Sequence, residues 1–336
     1  MDAFVMRCIN RNMVLVLVAV SAAFVSCSGE AGNDAKTIIL AHAMHPTHPV
    51  SIAMEKMAES VNETSRGELK VKIFLGGQLG SERELLELIQ IGAIGMTKVS
   101  AATMENVVPE MQVYSLPYLF RDQDHVLSVL DGPIGTRLLH AGIPSRLRGI
   151  AYYDAGSRSI YTVDRRIEHP DDLRGLKIRV MESVISVGLM RTLGGSPTPI
   201  SWGELYTAFQ GGIVDGAENN PPSFYTSRHY EVCRYYILNE HATIPDVLVI
   251  DSRLWDRLDT GQQNLLRDAV DASVVFQREL WQEFTSEALA TIEESGVELI
   301  EPDRQVFIDA VQPLYDRIRT RNPELYRLAQ EIREVK

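Results

Sequence analysis

Two hydrophobic periods take turns along this chain. Thr37-Ile-Ile-Leu-Ala41 is a short apolar run of strand type, and after it Val50, Ala53, Met54, Met57, Ala58 and Val61 recur at helical spacing up to Gly67. Leu69, Val71 and Ile73 alternate as a strand does. Ser81 and Glu84 then form a capping box that opens a helix with Leu85, Leu88 and Ile89 inward and Gly92 as its stop. Strand and helix in alternation predict an α/β fold with mostly parallel strands. Gly149 to Val163 reads as two strands meeting at Asp154-Ala155-Gly156, and His169 to Gly175 as one helical turn with proline at its start and glycine at its end.

The stretch from Leu176 to Pro222 is the densest in polar groups at strand ends. Leu176, Ile178 and Val180 share one face of a strand and Lys177 and Arg179 the other. Ser201 and Glu204 predict a second capping box, opening a helix with Leu205, Ala208 and Phe209 inward and Gly211-Gly212 as its stop. A polar loop with Glu218, Asn219 and Asn220 follows and ends at Pro221-Pro222. Thr260 to Ser295 holds no proline and only Gly261 as glycine. Leu265, Leu266, Ala269, Val270, Val274, Leu280, Trp281, Phe284, Ala288 and Leu289 make one apolar stripe along it. Roughly 35 residues at 1.5 Å each span about 50 Å, longer than a small domain, so this helix is expected to bridge two of them.

A chain of 336 residues with 45% hydrophobic composition is long enough for two cores. The expected division is 37–155 plus 246–280 for one ligand-binding domain and 156–245 plus 281–336 for the other, with the return crossing near Asp246 to Asp251. A formal net charge of −12 with no long basic run argues against nucleic acid. It leaves open an anionic small ligand, which answers to local arginines. Residues 1–27 read as a secretion signal: Arg7 and Arg11 precede an apolar run from Met13 to Phe24, followed by Val25-Ser26-Cys27. This is either a lipoprotein signal with Cys27 as the lipidation site or a plain signal cut nearby. Residues 28–36 would be a polar tether, and membrane association would run through the lipid alone. The expected place is the periplasm. Cys8 lies in the signal and Cys233 stands alone, so no structural disulfide is expected.

Candidate chemistry centres on arginine. A guanidinium offers two parallel donors to a carboxylate, and Arg158 in GSRSIYT and Arg179 in KIRV stand at strand ends. An ordinary surface salt bridge is the competing reading for either one. Trp202 can stack on the apolar face of a sugar ring or pack beneath a helix start. Glu82 and Lys98 can reach polyol hydroxyls, or serve as a helix-dipole partner and a solvated strand end; His241 is placed likewise. His42, His45 and His48 are spaced by three, but Pro46 breaks any helix that would align them, so no metal is expected and contact of His42 or His48 with a ligand hydroxyl is the better use. No nucleophile elbow, phosphate loop, zinc-protease pair or dinucleotide fingerprint occurs, and neither an enzyme nor a cofactor is expected.

KIRV, the run Gly194 to Pro199, WGELYTAFQGG and VDGAENNP, with GGQLGSERELLELIQIG (76–92), SLPYLF (115–120) and the long helix, together resemble the extracytoplasmic solute-binding proteins of TRAP transporters, the DctP-like family. The resemblance covers nearly the whole mature chain. It implies a two-domain periplasmic binding protein fold with a long helix bridging both domains, no enzymatic activity, and delivery of an organic acid to the membrane subunits of an ion-driven transporter. It implies that Arg179 clamps the ligand carboxylate, aided by Arg158 and by the amide of Asn219, with Trp202 facing the ligand. QLGSERELLELIQ, MTKVSAA, GELY, GAENNPPSF and HYEV look most like the uronate-binding branch, for glucuronate or galacturonate. A C4-dicarboxylate, a keto or aldonic acid, a periplasmic sugar-acid enzyme and a sensory binding protein are the alternatives.

Overall fold

In the computed structural model, which describes residues 35–336, the strands fall into two separate sheets. The first contains β1 (Lys36–Ala41), β2 (Leu69–Phe74), β3 (Met96–Ser100), β4 (Leu147–Tyr153) and β10 (Asp246–Asp251), in the order β2-β1-β3-β10-β4. The second contains β5 (Ser157–Thr162), β6 (Lys177–Val180), β7 (Ser196–Pro199), β8 (Gly216–Asn219), β9 (Tyr235–Thr243) and β11 (Glu298–Ile300), in the order β11-β9-β5-β8-β6-β7. Each sheet with its covering helices is a lobe.

Both sheets are mostly parallel, as the alternation predicts, with one strand reversed in each: β10 in the first and β5 in the second. β1 runs parallel to β2 and β3, and β6 parallel to β7 and β8, as βαβ units require. But β10 is antiparallel to β3 and β4, and β5 is antiparallel to β8 and β9. The cause is the double crossing. β4 leads out of the first sheet into β5, and β9 leads back into β10. The outgoing and returning strands lie side by side in each sheet, so they must run in opposite directions. The outgoing crossing sits at Asp154–Gly156, where the alternation placed it. The return lies at Ile244–Pro245, because Asp246 already pairs with Ser100 and Tyr153 in the first sheet.

Local signals account for the elements near the cleft. Ser81 and Glu84 close a reciprocal capping box on the helix Glu82–Ile91, and Gly92 ends it in the left-handed conformation at φ 81°. The second expected box does not form. Trp202–Glu204 is a 3₁₀ turn ahead of the helix Leu205–Gln210, and the Ser201 hydroxyl donates to the Glu204 carboxylate at 2.6 Å instead of receiving a backbone N–H.

The helix Thr260–Glu294 runs 35 residues and joins both lobes. Leu266, Ala269, Val270 and Trp281 belong to the first-lobe core with Ile38, Met54 and Leu248, whereas Ala288 and Ile292 belong to the second-lobe core with Tyr161 and Phe224. Between them it grips the outgoing crossing. Gln277 Nε2 donates to the Asp154 carbonyl at 2.8 Å, and its Oε1 accepts from the Asp154 N–H at 2.9 Å. Gly156, at φ 55°, presses so closely on Trp281 that a Cβ would lie 2.9 Å from the indole nitrogen. No helix among the described residues is long and apolar enough to cross a membrane.

Candidate functional site

The strand ends of both lobes face a cavity of about 430 Å³. From the second lobe come Arg158, Arg179, Trp202, Asn219 and Ser223; from the first come Met44, Glu82, Lys98, Ser100 and Thr103; Ala155, Ile244 and Asp246 line it beside the crossings. Arg179, Asn219, Lys98 and Ser100 stand toward the carboxyl ends of their strands, and Arg158 and Asp246 join them from the amino ends of the reversed strands β5 and β10.

Arg179, at the end of β6, is 4% exposed. Its Nε donates to the Ile200 carbonyl at 2.8 Å, and its guanidinium lies 5.5 Å from the Trp202 ring centre. Nη1 is buried without a hydrogen-bond partner, and no carboxylate of the described residues comes within salt-bridge distance. Burial lowers its pKa, and the more distant Glu218 only partly opposes this. A buried cation with an idle donor beside a cavity is costly unless an anion completes it.

Arg158, on β5, is occupied differently. Its Nε donates to Glu218 Oε2, Nη1 to Asn219 Oδ1 at 2.7 Å and Nη2 to the Glu218 carbonyl at 2.8 Å. Burial alone would raise the Glu218 carboxyl, but Arg158 and His241 outweigh it and hold it at about 2. The consequence reaches Asn219. Its Oδ1 accepts from Arg158 and from the Asn220 N–H at 2.9 Å, so its amide N–H₂ is turned away from both and has no partner among the described residues. Arg158 thus sets the orientation of Asn219 as well as lining the cavity.

On the facing wall Lys98, expected at a solvated strand end, is fully buried on β3. It is paired with Glu82 at 2.9 Å and with Asp246 at 2.9 Å. Glu82 Oε2 also accepts from the Ser100 N–H at 3.1 Å and the Thr103 hydroxyl at 2.8 Å. Burial opposes the charge on Glu82, but Lys98 and these bonds keep its pKa below the usual value. For Asp246 burial prevails and the pKa rises. Asp246 was missed by sequence reasoning; its one signal is an acid after Pro245 at the head of an apolar strand.

The histidines lie elsewhere. His42 is fully buried, accepts from the Met44 N–H at 3.2 Å, and is held neutral at a pKa of about 3 by burial and by Lys98. His48 caps its helix and bonds Ser223 of the other lobe at 3.1 Å. His45 is exposed. His241 stands behind Glu218, 3.6 Å from it. None of the four belongs to the cavity lining. The described residues hold no group of three or more His, Cys, Asp or Glu side chains arranged for a metal. Cys233 is a free buried thiol, and Cys8 and Cys27 lie outside the described residues.

Comparison with known proteins fits this geometry. A family model for bacterial extracellular solute-binding proteins, family 7, matches residues 40–322. An uncharacterized Salmonella typhimurium protein, YiiZ, is 38% identical over 306 residues, 90% of this chain and 93% of that one. A TRAP periplasmic solute-binding protein from a Bradyrhizobium species, solved with galacturonate, is 40% identical with a TM-score of 0.85, over 89% of this chain and 100% of that one. One from Chromohalobacter salexigens, solved with D-glucuronate, is 33% identical with a TM-score of 0.86, over 89% and 100%. The chain therefore belongs to family 7 of the bacterial extracellular solute-binding proteins, the binding proteins of TRAP transporters, which are carriers and not enzymes.

Proposed function

We propose that this protein captures a uronate, glucuronate or galacturonate, between its lobes and hands it to TRAP membrane subunits. Arg179 grips the carboxylate, the Asn219 amide donates to the same group, and Arg158 holds that amide in place. The reading rests on one observation above the others: Arg179 is buried beside the cavity with an idle donor and no carboxylate partner among the described residues. The uronates bound by the Bradyrhizobium and Chromohalobacter proteins support the choice of acid. Closure about Asp154–Gly156 and Ile244–Pro245 would exclude water and strengthen the charged bonds.

Titration calorimetry of the mature chain with both uronates tests this. Arg179→Ala should lose at least about a thousandfold in affinity with melting temperature retained, and Arg179→Lys should lose about a hundredfold for want of the bidentate fork. Unchanged affinity in Arg179→Ala would remove it from the role. We further propose that residues 1–27 direct export and that Cys27 carries a lipid. Cys27→Ser should then release the protein from the membrane fraction, and equal fractionation of the two forms would refute the anchor.

A further inference from the structure

We infer that the Glu82–Lys98–Asp246 triad sets the charge of the ligand: it receives a hydroxylated end and rejects a second carboxylate, restricting the cleft to monoanionic sugar acids. This rests on the uronate reading above.

Arg179 and Lys98 face the cavity from opposite lobes. Arg179 has no acidic partner within ion-pair reach among the described residues, so it draws one carboxylate. Lys98 is the reverse case. Both Glu82 and Asp246 lie 2.9 Å from its ammonium, which leaves no net positive charge on that wall. With both acids ionised the triad carries one negative charge, and with Asp246 protonated it carries none. Neither state attracts a second carboxylate, and the ionised one repels it in a partly desolvated space.

Hydroxyls meet the same wall favourably. An ammonium has three N–H donors. Lys98 spends one on Glu82 and one on Asp246, so the third can point to a ligand oxygen. Glu82 already accepts from Lys98, Ser100 and Thr103. Asp246 Oδ2 takes part in no hydrogen bond among the described residues, which leaves it free to accept. One spare donor beside one spare acceptor suits a hydroxyl, which is both. The wall is rigid for this purpose, because it joins the helix start at Glu82, the central strand β3 and the returning strand β10.

Galactonate and galactarate are open-chain six-carbon acids that differ only in whether the far carbon is a hydroxymethyl group or a second carboxylate. Calorimetry at pH 8 on the mature chain should place galacturonate tightest, with galactarate about a hundredfold or more weaker than galactonate. Asp246→Asn, and separately Glu82→Gln, should narrow the galactonate-to-galactarate ratio by at least about tenfold. Galactarate binding the wild type as well as galactonate, or staying undetectable in the wild type and in both variants, overturns the inference while leaving uronate binding standing. Absence of any uronate binding, with succinate bound tightly, removes the uronate reading and this inference together.

Discussion

Glu105 shows how one buried carboxyl couples the lobes to pH. It is 3% exposed and reaches from the first-lobe side to the start of the second-lobe helix Val184–Thr192, accepting from the Val184 N–H at 2.6 Å and from the Ser115 hydroxyl at 3.2 Å. Burial pushes its pKa from 4.5 to about 7, against the opposing pull of bonds from Ser183 and Val184. A carboxyl raised on folding favours the proton-bound native state. Its contribution is therefore fully present below about 4.5 and is lost as pH climbs through about 7. Glu105→Gln mimics the protonated form and keeps the acceptor for Val184. It should stabilise the protein at pH 8, by up to roughly 3 kcal/mol, and the gain should vanish toward pH 5. Urea unfolding across that range reads this directly; parallel curves for the two proteins would disprove it. The residue scale is also where the sequence was least legible. Arg179 stood out because a charge on one face of a short apolar strand needs a reason. Lys98 looked solvated because its partners lie 16 and 148 residues away, and no local pattern records them.

The long helix is the element whose chemistry exceeds its pattern. Its apolar stripe disclosed the length and the bridging role, since both follow from periodicity and the lack of breakers. The stripe said nothing of Ser273 and Gln277, which are buried in it and bond Tyr153 at 2.8 Å and Asp154 at both backbone groups. Polar residues on an inward face look like interruptions until the backbone they satisfy is known. Gln277→Met preserves bulk but strands the Asp154 N–H and carbonyl at the crossing. It should cost about 2–4 kcal/mol in stability and speed amide exchange at Asp154 to Gly156. Normal protection there would mean that the crossing is held by Trp281 packing alone. Strand direction was likewise hidden from periodicity: alternation reports which face is buried, while antiparallel pairing of β4 with β10 comes from a chain that leaves and returns through adjacent strands.

At the scale of the whole molecule, the protein is acidic and the ligand proposed for it is an acid too. The chain carries a formal charge of −12, and the cavity lining includes Glu84 and Glu204, both exposed, together with Glu182. On the proposed function, an approaching uronate would meet repulsion at long range and attraction only once it nears Arg179. These two ranges respond differently to salt. Screening over a Debye length of about 8–10 Å weakens the long-range field but scarcely touches a contact inside a closed cleft. Raising ionic strength from about 10 mM to about 150 mM should therefore increase the association rate a few-fold and leave the dissociation rate nearly unchanged, so that affinity rises modestly with salt. Stopped-flow measurement of both rates, using the intrinsic fluorescence of Trp202 and Trp281, separates the ranges. A fall in association rate with salt would mean that the local field of Arg179 and Arg158 reaches beyond the cleft mouth and governs capture from a distance.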